Sequence, residues 1–161
     1  MAMPLTQDPA NALAMATRIC QRFEGCVLTA YHGAADRPGL YSIGYGTTSI
    51  DGAPVQPGST ITQEQADQYL ADELTRVQNA VEGMLTTQVQ DYQEAALISF
   101  GYNLGTSALH GSTLLKFVNA GDFDAAAGQF GLWVHANGQV VNGLVARRAY
   151  EAQVFQNEVQ P

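Results

Sequence analysis

Positive charge is scarce in this sequence: 7 Lys+Arg stand against 15 Asp+Glu in 161 residues, a formal net charge of -8. Such a chain cannot draw affinity from neutralising phosphates, which excludes wholesale binding to duplex nucleic acid. Long-range steering towards any polyanion is excluded on the same ground. Charge of either sign is sparse at 14%, yet 46% of the residues are hydrophobic, far too many for a disordered acidic tail. Long apolar runs are missing too. The longest mostly apolar stretch, Ala10 to Cys20, is interrupted by Asn11, Thr17 and Arg18 and is too short and polar to span a bilayer. The opening residues lack a positive cluster followed by an apolar core, so no cleaved secretory signal is expected. Cysteine is limited to Cys20 and Cys26. A chain of this length needs no disulfide staple, and two free thiols in a reducing compartment are expected. His32, His110 and His135 show no ligand spacing, so no metal and no other cofactor is expected.

What is present suits one domain with one or two modest cores. Residues 8–23 read as a helix: Asp8 can accept from the open N–H groups and Pro9 suits the first turn. Leu13, Ala16, Ile19, Cys20 and Phe23 recur at helical spacing, and Glu24-Gly25 ends the run through a left-handed glycine cap. Residues 26–60 are rich in strand formers punctuated by glycine and proline, which predicts a small antiparallel sheet that must lean on helices. Helices follow from Thr62, capped with Gln65, to about Glu82 with Gly83 as the stop. Further helices cover 91–104, 112–120, 122 to near 133, and 142–155. The stretch Ala95–Phe100 has almost no polar face and reads as the buried central helix. Asn137-Gly138 marks a hairpin turn. The expected class is α+β, with an N-terminal helix, a sheet lobe at about 26–60, a helical lobe at about 62–156, and a cleft between them.

Two carboxyls carry the chemistry that can be read directly. Glu24 lies between the first helix and the sheet, beside apolar Phe23, Cys26 and Val27, where partial desolvation would keep a proton available near neutral pH. Its plainer alternative is a solvated acid at a helix end. Asp36 lies in a Gly/Pro turn, where Asp is also an ordinary turn residue. Two carboxyls flanking a cleft are the minimum kit for hydrolysing a glycosidic bond.

The segment after Asp36 gives these residues a context. Glu24-Gly25, Tyr31 seven residues on, then Asp36, Gly39 and Ser42-Ile43-Gly44-Tyr45-Gly46 follow in order. Further on come Phe100-x-Tyr102-Asn103-Leu104-Gly105, Ser112-Thr113-Leu114-Leu115, Phe130-x-x-Trp133, and Gly143-Leu144-Val145-x-Arg147-Arg148-x-x-Glu151. Across about 20–156 this order resembles the phage-type lysozymes, glycoside hydrolase family 24. The resemblance implies a lysozyme-like fold with Glu24 as general acid, Asp36 as partner carboxylate and Ser42 as the hydroxyl that holds the attacking water. Tyr31, Tyr45, Thr47, Asn103, Gln129 and Arg147 are implied as substrate-binding residues. Arg147 matches a family arginine that approaches the catalytic Glu; its alternative is a surface arginine. Sheet packing is the alternative for the two tyrosines, and solvation for Asn103 and Gln129.

Three departures stand out. Tyr31 to Asp36 spans five residues where the family usually has two, which reads as an insertion within His32–Ala35. The other register puts Gly33 at the Asp position. Ser42 replaces the usual Thr, keeping the hydroxyl without the methyl that restricts its rotamer. Thr47 stands where many members carry His.

The resemblance implies a muramidase, an endolysin that cleaves the β-1,4 bond between N-acetylmuramic acid and N-acetylglucosamine in peptidoglycan glycan strands, by an inverting displacement. It implies a monomer that accumulates in the host cytoplasm and reaches the wall through a holin lesion. A lytic transglycosylase, needing one acid and no water-holding partner, is the second reading; an inactive saccharide-binding protein is the third. The acidity is concentrated in residues 64–94, which hold Glu64, Asp67, Asp72, Glu73, Glu82, Asp91 and Glu94 against Arg76 alone. Arg18, Arg22, Arg37, Arg147 and Arg148 belong to segments flanking the expected site.

Overall fold

The computed structural model describes residues 7–33 and 37–161. In chain order the elements are α1 (Pro9–Phe23), β1 (Val27–Tyr31), β2 (Ser42–Gly44), β3 (Ser49–Ile50), β4 (Ala53–Pro54), α2 (Gln63–Met84), α3 (Asp91–Leu104), α4 (Thr106–His110), α5 (Thr113–Asn119), α6 (Phe123–Ala127), a 3-10 turn (Phe130–Leu132), β5 (His135–Ala136), β6 (Gln139–Val140) and α7 (Asn142–Phe155).

Local chemistry sets most of the boundaries. Asp8 Oδ1 accepts from the Asn11 amide at 3.0 Å, and Pro9 opens α1. Thr62 and Gln65 form a reciprocal box: the Gln65 amide donates to Thr62 Oγ1 at 3.1 Å, and the Thr62 amide donates to Gln65 Oε1 at 2.9 Å. The Ser112 and Asp122 side chains cap α5 and α6 by accepting from the Leu115 and Ala125 amides. Asn137 and Gly138 adopt φ of 51° and 77°, as a two-residue hairpin requires, and the Val141 amide donates to the Val134 carbonyl to close the loop.

Several expectations are corrected. Gly25 is not among the glycines at positive φ, so α1 ends without a left-handed cap. α2 runs through Gly83 to Met84. The helix expected from Asp122 to near Trp133 is α6 followed by the separate 3-10 turn, and α4 was not anticipated. The strand-rich region forms two-stranded ladders rather than one sheet: β1 with β2, and β3 with β4. A bridge pairs Thr29 with Thr60, so β1 is hydrogen-bonded on both sides.

The chain divides into two compact units. The smaller is Cys20–Glu73, holding the β1–β4 ladders, the end of α1 and the start of α2. Its buried apolar residues are Cys20, Ile43, Tyr45, Val55, Ala66 and Leu70. The larger takes in the described residues up to Ile19 and Leu74–Pro161. Its centre is α3, where Gln93 through Gly101 are buried, as the unbroken apolar stretch predicted. Phe100 packs edge-on against Phe130 and Trp133, and Phe130 packs at a tilt against Phe155. Both cysteines are free thiols.

The charge map is sharper than the sequence suggested. Glu64, Asp67 and Asp72 are exposed, but Glu94 and Arg148 are fully buried and Arg147 nearly so. Those three side chains therefore add nothing to a charged surface.

Candidate active site

In the smaller unit, Glu24 follows the last turn of α1. Its amide donates to the Cys20 carbonyl at 2.7 Å and its side chain is half-buried. β1 starts three residues later. The antiparallel register pairs Val27 with Gly44 and Tyr31 with Ser42, with an irregularity between the two pairs. That register folds the Ser42 strand back along the strand that follows Glu24. Ser42 is buried, Tyr31 is half-buried and ends β1, and Thr47 is half-buried. Asp36 lies outside the described residues. The ends of its loop are tied: His32 Nδ1–H donates to the Leu40 carbonyl at 2.7 Å, and the His32 ring sits 5.9 Å from that of Tyr41. Gly39, at φ 81°, makes the turn after Pro38.

The Gly44-Tyr45-Gly46 turn has its own physical logic. The Ile43 and Thr47 amides donate to each other's carbonyls at 2.9 Å, closing the loop around three residues. Gly44 and Gly46 both sit at positive φ, 63° and 99°. A Cβ on Gly44 would stand 3.3 Å from Ala66 Cβ and from Ile61 Cδ1. Gly44→Ala is therefore expected to cost at least about 1–2 kcal/mol from backbone strain alone. Gly25→Ala, with no atom within 4 Å of the added carbon, should leave the melting temperature nearly unchanged. Thermal melts of the two variants check both.

Tyr45 is buried, 8% exposed, and its hydroxyl donates to Asp67 Oδ1 at 3.0 Å. Gln63 Nε2 donates to both partners, at 3.2 Å and 2.9 Å. The turn is thus fastened to the first turns of α2, and Tyr45 has only an edge left for a ligand. Burial, then the bond and charge of Asp67, push its hydroxyl above the usual 10.0. Because the charged form is disfavoured in the fold, the stability from this group is lost as pH rises through its native value. In Tyr45→Phe the Asp67 bond disappears, at about 0.5–1.5 kcal/mol by urea titration. A late-ionising tyrosine should vanish from the alkaline absorbance titration of that variant.

In the larger unit the polar centre is Glu151, which is fully buried. Arg147 Nε donates to its Oε1 at 3.1 Å, Arg148 Nε lies 2.9 Å from Oε2, and the Ser99 hydroxyl donates to Oε1 at 2.6 Å. Arg147 Nη2 also reaches the Ser99 carbonyl and hydroxyl. Arg147 is therefore buried in a network, which excludes the alternative of a surface arginine. Arg148 Nη2 donates to Asn103 Oδ1 at 2.7 Å, and Asn103 is half-buried. Gln129, half-buried, precedes the 3-10 turn, and its amide donates to the Ala126 carbonyl. Ser99 and Glu151 received no role from the sequence. The signal for Glu151 was its spacing of four and three residues from Arg147 and Arg148 on one helix. Nothing local marks Ser99. Among the described residues no group of His, Cys, Asp and Glu could hold a metal ion. No helix there is long and apolar enough to cross a membrane.

A helix followed in the chain by Glu24 and a small strand ladder, with a mostly helical remainder, makes an α+β chain. Residues 21–151 match the family described as Phage lysozyme. The endolysin of Bacillus phage B103 is 39% identical over 137 residues, covering 85% of this chain and 51% of the relative. Among solved structures, the endolysin from Escherichia coli O157:H7 phage FAHEc1 superposes with a TM-score of 0.82 at 35% identity, covering 94% of both chains. The muramidase domain of SpmX from Asticaccaulis excentricus gives 0.77 at 31% identity, covering 87% of this chain and 93% of that one. The chain belongs to the phage lysozyme family, a family of glycoside hydrolases. It spans about half the length of the Bacillus phage relative.

Proposed function

We propose that the protein is an endolysin that hydrolyses peptidoglycan, cutting the β-1,4 bond between N-acetylmuramic acid and N-acetylglucosamine. The observation that carries this reading is the pairing of Tyr31 with Ser42 in the strand ladder that begins just after Glu24. It supports the motif residues Tyr31 and Ser42 acting together on one strand ladder, in the same compact unit as Glu24. In the proposed reaction Glu24 gives its proton to the glycosidic oxygen as the C–O bond breaks. Water held by Ser42 and activated by Asp36 attacks the anomeric carbon from the opposite face, losing its proton to Asp36. The product anomer is inverted. Tyr31 and Thr47 contact the sugars, with little of Tyr45 exposed for them. Asn103 and Gln129 supply hydrogen bonds to the glycan, whereas Arg147, buried against Glu151 and Ser99, is given no direct contact with it. The family's route to its substrate goes with this reading: a monomer held in the host cytoplasm and released through a holin lesion.

Digestion of purified sacculi followed by mass spectrometry tests the reaction. Fragments ending in reducing N-acetylmuramic acid are expected. Exclusively 1,6-anhydro ends would make the protein a lytic transglycosylase and leave the water-holding role of Ser42 without purpose. Proton NMR of the first-formed anomer decides the stereochemistry, with the α-anomer expected.

A further inference from the structure

Glu24 reaches the strand ladder through Gly25, which has no side chain to pack; a Cβ added there would meet no atom within 4 Å. A glycine in open space has the widest backbone freedom of any residue. The ladder leaves slack of its own. Its pairs are Val27 with Gly44 and Tyr31 with Ser42, so β1 spends four residues where β2 spends two. A constraint beside the Val27–Gly44 pair would remove both freedoms.

Gln63, the first residue of α2, supplies one. Its Oε1 accepts from the Cys26 thiol at 3.8 Å, and its Nε2 donates to the Tyr45 hydroxyl at 3.2 Å and to Asp67 Oδ1 at 2.9 Å. Tyr45 closes the ring by donating to the same Asp67 oxygen. Cys26 precedes Val27 and Tyr45 follows Gly44, so one side chain joins the two residues that flank a ladder pair. Backbone bonds bring α2 to this point: the Ile61 amide donates to the Leu28 carbonyl at 2.9 Å. The amide is used in one orientation. A flip would turn its N–H bonds towards the thiol and its oxygen towards the Asp67 carboxylate, which only accepts.

We infer that Gln63 is a positioning residue that holds the chain after Glu24 against the turn after Ser42, and so fixes the spacing between the acid and the water-holding hydroxyl. This role rests on the proposed chemistry of Glu24 and Ser42. Gln63 acts through its neighbours. Loosening the spacing of two catalytic groups slows the chemical step, whereas contacts to the rest of the glycan, and with them KM, are retained.

Steady-state kinetics on solubilised glycan strands test this with Gln63→Leu, Cys26→Ala, the double variant and Cys26→Ser. Gln63→Leu keeps the bulk and loses every polar bond. Its kcat should fall about tenfold with KM little changed. Cys26→Ala should lower kcat about twofold, because a thiol is a weak donor. The double variant should match Gln63→Leu alone, since the thiol acts only through Gln63. Cys26→Ser, which restores a donor, should recover the loss of Cys26→Ala. A folded Gln63→Leu protein with wild-type kcat would overturn the assignment, and so would losses that multiply in the double variant. Should Gln63→Leu fail to fold, Gln63→Glu takes its place: it keeps the acceptor for Cys26 but sets a like charge against Asp67, and the same fall in kcat is expected. A wild-type protein that leaves the strands intact would instead remove the proposed function, and this role with it.

Discussion

Glu24→Gln is expected to abolish clearing of a wall suspension, lowering kcat about 10²–10⁴-fold, while the protein stays folded. The rate loss follows from the role of a general acid: the leaving sugar oxygen has to be protonated as its bond to carbon breaks, and an amide cannot supply that proton. The fold should survive because the group that ends α1 is the backbone amide of Glu24, bonded to the Cys20 carbonyl, and the substitution leaves it in place. The melting temperature should therefore stay close to that of the wild type. A Glu24→Gln protein that clears walls at the wild-type rate would end the assignment of Glu24. Asp36→Asn separates the two registers of the insertion. A loss of about a hundredfold supports Asp36 as the partner that activates water. Full activity would make Asp36 a turn residue and move the position to Gly33, where no side chain exists to do the work.

How much of this was legible depended on whether the deciding partner lay nearby in the chain. Asp8, Thr62 with Gln65, and Asn137-Gly138 were readable because each acts on backbone groups within a few residues. α3 was readable because an apolar stretch without a polar face has only one place to go. The end of α2 was misjudged at Gly83, since one glycine costs a helix only about 1 kcal/mol relative to alanine. α4 is five residues long and follows a backbone turn at Gly105, φ 93°, too little sequence to carry a period. Glu94 and Glu151 were hidden for a different reason. A glutamate in a helix reads as solvated, and only the tertiary fold removes the water. The i,i+4 spacing of Arg147 and Glu151 was visible as a pair, yet Ser99 and Asn103, which complete their network, come from a helix more than forty residues earlier. The resemblance supplied Glu24, Asp36 and Ser42 in order. The burial of Ser42 beside β1 and the tether of Tyr45 to Asp67 came from the structure.

Glu151→Leu is expected to be among the most damaging single substitutions in the larger unit, at about 3–5 kcal/mol. Leucine fits the volume but accepts no hydrogen bond. Arg147 Nε, Arg148 Nη2 and the Ser99 hydroxyl would lose an acceptor at one stroke, and Arg148 the charge 2.9 Å from its Nε, in a site where Arg148 and Ser99 are fully buried and Arg147 is 3% exposed. For a chain of this size the loss corresponds to a fall in melting temperature of roughly 6–20 °C. Glu151→Gln should cost much less, since its carbonyl oxygen can still accept from Arg147 and Ser99. The charge itself is of smaller value here, because burial pushes the Glu151 carboxyl up against the opposing pull of Arg148, Arg147 and the Ser99 hydroxyl. The sign of the pH dependence follows. A carboxyl that holds its proton more tightly in the fold than in the unfolded chain contributes stability that is complete below the unfolded value near 4.5 and fades as pH rises through the native value. Glutamine has nothing to ionise and lacks that fade. Urea unfolding of wild type and Glu151→Gln from mildly acidic to mildly alkaline pH should therefore show the difference moving in favour of the Gln variant as pH rises. A difference moving the opposite way would mean that the two guanidiniums outweigh the burial of the carboxylate, and that the charge at Glu151 holds this core together.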